Sequence, residues 1–113
     1  MFSFFSNPIP QLSVGEVKQS FDKKEAITVL DVRTPEEYHE GHIDGSILVP
    51  VEEVRAKIQQ ILTNKDQKII VHCRSGGRSL KAVGEMKKLG YTNVYNLQGG
   101  IIAWENKGYH ILT

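Results

Sequence analysis

Short apolar runs alternate along this chain with stretches in which apolar residues recur every third or fourth position. Val14, Val17 and Phe21 make one such stripe, because steps of three and four return to the same helix face. Ser13 and Glu16 have capping-box spacing, with Leu12 and Val17 at the staple positions, so a short helix is expected to run to about Asp22. Residues 27–32 are rich in β-branched side chains and read as a buried strand. Thr34 then caps a second short helix, with Pro35 at its first position and Glu37 closing another capping box. Residues 41–45 form a loop held between two glycines, and residues 46–49 a short strand stopped by Pro50.

Beyond Pro50, Val51, Val54, Ile58, Ile61 and Leu62 fit one helix face, and residues 64–67 read as a turn. Residues 68–72 form the next strand. A helix over 78–89 follows, with Leu80, Val83, Met86 and Leu89 at every third position and Ala82 four before Met86. Gly90 ends it as a left-handed cap. Residues 94–97 are a further strand, broken by Gly99 and Gly100. Residues 101–107 make one or two helical turns, Gly108 ends them, and 109–112 are expected as a last edge strand. Strands alternating with helices predict an α/β fold with a mostly parallel sheet. In such sheets the ligand site lies beyond the carboxyl ends of the strands.

Composition narrows the function classes. A chain of 113 residues is expected to form one domain. The formal charge is +1 with acids and bases interspersed, so neither nucleic acid nor a membrane surface is an expected partner. No apolar run approaches membrane-spanning length. A single cysteine excludes an internal disulfide framework and fits a reducing compartment, so a cytoplasmic location is expected. Phe2, Phe4 and Phe5 give residues 1–10 an apolar character without the basic start of a signal peptide. These residues are read as an N-terminal arm, and 11–113 as the domain.

That lone cysteine stands in the most chemically loaded stretch, His72-Cys73-Arg74-Ser75-Gly76-Gly77-Arg78-Ser79. A strand ending in a thiol, then a Gly-rich turn, then a helix start, is the layout of an anion site with a nucleophile at its centre. Gly76 and Gly77 permit the positive-φ conformations that aim successive N–H groups inward. None of residues 73–79 is proline, so each keeps its donor. The helix start adds partial positive charge, and Arg74 and Arg78 add full charges. All of these favour the thiolate. Cys73 is therefore the expected nucleophile, with Arg74, Ser75, Gly76, Gly77, Arg78 and Ser79 as substrate-binding residues. The Ser75 and Ser79 hydroxyls are candidate donors to substrate, although Ser79 has an alternative role in bonding the helix start.

Asp31 and Arg33 flank the carboxyl end of the 27–32 strand, the same sheet edge as Cys73. They suit a pocket rim or, preferably, a polar network bracing the loop. His39, His42 and His72 make a poor metal set, because adjacent strand residues such as His72 and Cys73 point to opposite faces and no second cysteine completes a soft site. No metal or cofactor is expected. The same geometry makes His72 a poor general base for Cys73. Trp104 is expected in the core.

The Cys-Arg-Ser-Gly-Gly-Arg-Ser run resembles the active-site loop of the rhodanese (thiosulfate sulfurtransferase) family. The resemblance extends to Val29-Leu30-Asp31-Val32-Arg33-Thr34-Pro35-Glu36-Glu37-Tyr38, to Gly41-His42-Ile43-Asp44-Gly45-Ser46 and to Asn93-Val94-Tyr95-Asn96-Leu97-Gln98-Gly99-Gly100 with Trp104. Asp44 departs from the family's usual proline. The resemblance implies a three-layer α/β/α fold around a five-stranded, mostly parallel sheet. It also implies a sulfurtransferase that moves a sulfane sulfur from thiosulfate, or a related small anionic donor, through a Cys73 persulfide. The acceptor would be cyanide, a thiol or a protein thiol. Phosphatases and arsenate reductases of the same fold are the alternative, and so is a protein sulfur-carrier module. Protein tyrosine phosphatases, and phosphatases of the rhodanese fold, resemble this loop but place five residues between cysteine and arginine; four separate Cys73 from Arg78.

Overall fold

The computed structural model describes residues 9–113. Most of the arm expected over residues 1–10 therefore lies outside the described residues. Five strands form one parallel sheet: β1 (Gln11–Leu12), β2 (Ile27–Asp31), β3 (Ile47–Leu48), β4 (Lys68–His72) and β5 (Val94–Leu97), in the order β1-β5-β4-β2-β3. The helices are α1 (Val14–Asp22), α2 (Pro35–Glu40), α3 (Val54–Ile61), α4 (Gly77–Lys88) and α5 (Gly100–Asn106). A single 3₁₀ turn at Val51–Glu53 leads into α3.

Local chemistry starts the helices where the caps predict. The Ser13 side chain accepts the Glu16 N–H while Glu16 bonds back to the Ser13 N–H, and Thr34 and Glu37 repeat the arrangement at α2. Alternation along the central strands then sorts side chains to two faces. Leu30, Val32, Ile69 and Val71 pack with Val54, Ile58, Val83 and Met86 beneath α3 and α4. Val29, Ile70 and Leu97 pack with Val14, Val17, Ile101 and Trp104 beneath α1 and α5. Each fully buried aliphatic side chain contributes about 1.5–3 kcal/mol. Trp104 is in the core as expected, edge-on to Phe21 and Tyr109, with its indole N–H on the His110 carbonyl at 3.0 Å.

Two sequence expectations are corrected. The fifth strand is Gln11–Leu12, paired with β5 through Gln11↔Asn96 and Leu12↔Leu97. Residues 109–112 instead make only an isolated antiparallel bridge, His42 to Leu112. A two-residue strand ahead of a capping box carries no period of its own, whereas Tyr109 to Leu112 looked like an edge. The second correction concerns α4: Leu80 is exposed, and the buried face is Ser79, Ala82, Val83 and Met86. A polar residue, Ser79, takes the place that three-residue spacing gave to Leu80.

The topology positions the site. From β2 the chain moves outward to β3, then returns to β4 and moves the other way to β5. The loops after β2 and β4 thus diverge above neighbouring strand ends, leaving the crevice in which open α/β sheets place their ligands.

Candidate active site

Cys73 follows directly on β4 and is 1% exposed. Its Sγ accepts the Gly76 N–H at 3.1 Å and lies 3.4 Å from Ser79 Oγ. Gly76 caps α4 with φ 139, a left-side conformation that a β-carbon would strain. Burial opposes ionisation of the thiol. Hydrogen bonds from the Ser79 hydroxyl and from the N–H groups of Ser79, Gly76 and Ser75 outweigh it, and Cys73 sits below the ordinary thiol value.

The loop's carbonyls are held on its outer side by α5. The Ile101 N–H donates to the Cys73 carbonyl at 3.0 Å and the Ile102 N–H to the Arg74 carbonyl at 3.2 Å. Two of the loop's carbonyls are thus tied to α5. The approach needs Gly100, at φ 62. A β-carbon there would overlap the Arg74 carbonyl and stand 2.7 Å from the Cys73 oxygen.

Ser79 is fully buried; its Oγ lies 2.5 Å from Asn96 Oδ1 and 3.1 Å from the Gly76 carbonyl. Asn96 sits on β5, its Nδ2 donating to Gln11 Oε1 at 3.1 Å. Sequence reasoning missed Asn96. Its signal was a lone polar residue inside the apolar run of β5.

The two arginines differ. Arg74 is exposed and has no ion-pair partner among the described residues. Arg78 forms a forked pair with Glu37, Nη1 to Oε1 at 2.7 Å and Nη2 to Oε2 at 3.0 Å. That bond holds the Glu37 carboxyl at a pKa of about 2, and it raises Arg78 further, with smaller help from the charges of Cys73 and Asp31. Sequence reasoning assigned Glu37 only to its cap.

Asp31 and Arg33 are buried together. Arg33 Nη2 donates to Asp31 Oδ2 at 2.7 Å and to the Gly41 carbonyl at 2.7 Å, and the Arg33 N–H donates to Asp31 Oδ1 at 3.0 Å. The pair therefore braces the segment around α2 rather than bonding the cysteine loop directly. His72 is buried behind it, its Nδ1 3.2 Å from the Cys73 carbonyl and its Nε2 3.6 Å from Asp31 Oδ2. A carbonyl only accepts, so Nδ1 carries the proton. Burial lowers the His72 pKa, against the pull of the Asp31 charge. His42 stacks on Tyr38, 3.8 Å between centroids, and His39 is exposed on α2. A cleft of about 280 Å³ opens between α2, the loop and α5, with Arg33, Arg74, Glu37, Glu40 and Glu105 among its lining residues.

A family model for the rhodanese-like domain matches residues 13–107. The chain belongs to the rhodanese-like family. Among relatives, it is 32% identical over 105 residues to a sulfurtransferase of Allochromatium vinosum, covering 93% of this chain and 96% of that one. It is 36% identical over 102 residues to YrkF of Bacillus subtilis, a candidate sulfur carrier protein, covering 90% of this chain and 54% of that one. It thus spans about half the length of YrkF. A rhodanese-related protein from Thermoplasma volcanium superposes with a TM-score of 0.81 at 36% identity, covering 91% of this chain and 97% of that chain. The family model and the superposition agree with the α/β fold described above.

Proposed function

We propose that this protein is a sulfurtransferase in which the Cys73 thiolate attacks the outer sulfur of a sulfane donor. With thiosulfate, the donor's S–S bond breaks, sulfite leaves with the electron pair, and Cys73 keeps the sulfur as a persulfide. Cyanide or a thiol then attacks that sulfur and regenerates the thiolate, so kinetics are ping-pong. What supports this reading is the acidified Cys73 at the head of α4 with N–H groups turned toward its sulfur. The N–H groups of Arg74, Ser75, Gly76, Gly77, Arg78 and Ser79 cradle the persulfide, and Arg74 draws the donor in. Asp31 and Arg33 hold the crevice wall. A cytoplasmic location belongs to the same reading; no described helix is long and apolar enough to cross a membrane.

Intact mass after thiosulfate treatment tests it. Wild type should gain one sulfur, lose it to cyanide with thiocyanate formed, and Cys73→Ser should gain none. A carrier role is the second reading, favoured by the likeness to YrkF. Slow thiosulfate turnover beside fast loading from a cysteine-desulfurase persulfide would select it. Turnover of an aryl phosphate would overturn both. The four-residue spacing and the engagement of Arg78 by Glu37 argue against that outcome.

A further inference from the structure

The loop carries two guanidinium groups, and only one is free to meet a ligand. Both terminal nitrogens of Arg78 are turned onto Glu37, at 2.7 and 3.0 Å. Forked pairing of this kind satisfies the guanidinium in the same plane that a sulfonate or carboxylate would use. Glu37 is itself fixed from behind: its Oε1 accepts the Thr34 N–H at 3.0 Å and lies 3.2 Å from Thr34 Oγ1. It stays ionised at neutral pH, with its carboxyl held at about 2. The remaining charges of the cleft point the same way. Arg33 is neutralised by Asp31. Arg74 is left as the one unpaired cation on the lining, which also includes Glu40 and Glu105. On this lining the unpaired carboxylates outnumber the unpaired cation, which disfavours a dianion.

We infer that Glu37 is a specificity-determining residue: by occupying the Arg78 fork it turns the site from dianionic sulfane donors toward donors of low net charge, such as alkyl persulfides. The inference rests on the Cys73 persulfide reading. With such a donor, R–S–SH, the Cys73 thiolate bonds to the outer sulfur, the donor S–S bond breaks, and RS⁻ leaves with the electron pair. The proton stays on the transferred sulfur, so charge and atoms balance. No sulfite dianion has to be steadied, and Arg78 is not needed for it.

The test is the ratio of loading rates, by intact mass, for thiosulfate and for ethyl persulfide, whose reacting R–S–SH form carries no charge. Glu37→Gln keeps the capping acceptor and frees Arg78. It should raise the thiosulfate-to-persulfide ratio about tenfold, the equivalent of one hydrogen bond to a charged group, chiefly through a lower thiosulfate KM. Glu37→Ala, which frees Arg78 without the cap, should raise the ratio in the same direction. Glu36→Gln, the same charge change on the exposed side of α2, should leave the ratio at the wild-type value. Adding Glu37→Gln to Arg78→Met should give no further gain. Wild type loading from both donors with an unchanged ratio in both Glu37 variants overturns the inference alone. Wild type loading from neither overturns the persulfide reading and the inference with it.

Discussion

Ser79 has one proton and three neighbours that would take it: Asn96 Oδ1, the Gly76 carbonyl and, once ionised, Cys73 Sγ. While Cys73 is a thiol, Ser79 can give its proton to Asn96 and receive the S–H. When the thiol ionises, the hydroxyl turns to the sulfur. Ser79→Ala removes that donor, so the pH midpoint of Cys73 alkylation should move up. Alkylation at neutral pH should slow about tenfold, the equivalent of a hydrogen bond to a charged group. An unmoved midpoint would leave the backbone N–H groups as the whole cause of the acidity. The place of the Cys73 loop between β4 and α4 was legible because an apolar run, a glycine pair and a helical period follow one another there. The partners of Ser79 and Arg78 were not. Glu37 lies 41 positions from Arg78 and Asn96 lies 17 from Ser79, and only the sheet order brings them together.

Among the elements, α5 does more than its short length suggests. Its first turn must come within hydrogen-bond reach of the cysteine loop, and a glycine at the contact is the condition for that. Gly100→Ala would force Arg74 and Cys73 carbonyls away from a new methyl group at a position that also demands positive φ. The combined cost should be roughly 2–4 kcal/mol by urea unfolding, from overpacking and backbone strain together, with loss of Cys73 acidity in whatever folds. The sequence carried the glycine pair as a strand breaker, which is its local effect. That the second glycine also seats a helix on the Cys73 loop is a tertiary fact with no local signature. The capped starts of α1 and α2 were readable because their determinants lie within four residues of one another. The edge strand was not: β1 is held by β5, far along the chain, and two residues have no periodicity to display.

For the whole molecule, two groups make acid the weak side. Burial keeps His72 neutral in the folded protein, below the 6.5 of the free ring. The unfolded chain therefore binds a proton there first, and stability falls as pH drops below about 6.5. Glu37, lowered from 4.5 to about 2 by Arg78, adds a second loss as pH falls through that window. Both contributions are intact at pH 7. The urea midpoint should thus decline in two stages on acidification, and His72→Gln should remove the first stage. A flat midpoint from pH 7 to 5 in wild type would show that His72 titrates alike in both states. The α/β alternation, and with it the site's place at the carboxyl ends of the strands, was readable because short apolar runs and amphipathic stretches differ in period. Which strand neighbours which was not.

The clasp of α5 on the loop has a consequence for observing the site. The Ile101 and Ile102 amides are bonded to the Cys73 and Arg74 carbonyls, so the loop cannot open without exposing both to solvent. Their hydrogen exchange with deuterated water becomes a gauge of loop opening, readable without touching the cysteine. Loading a sulfur inside the ring should add contacts on its inner side and slow both amides together. The two protons that best report on Cys73 would then belong to neither the cysteine nor its loop.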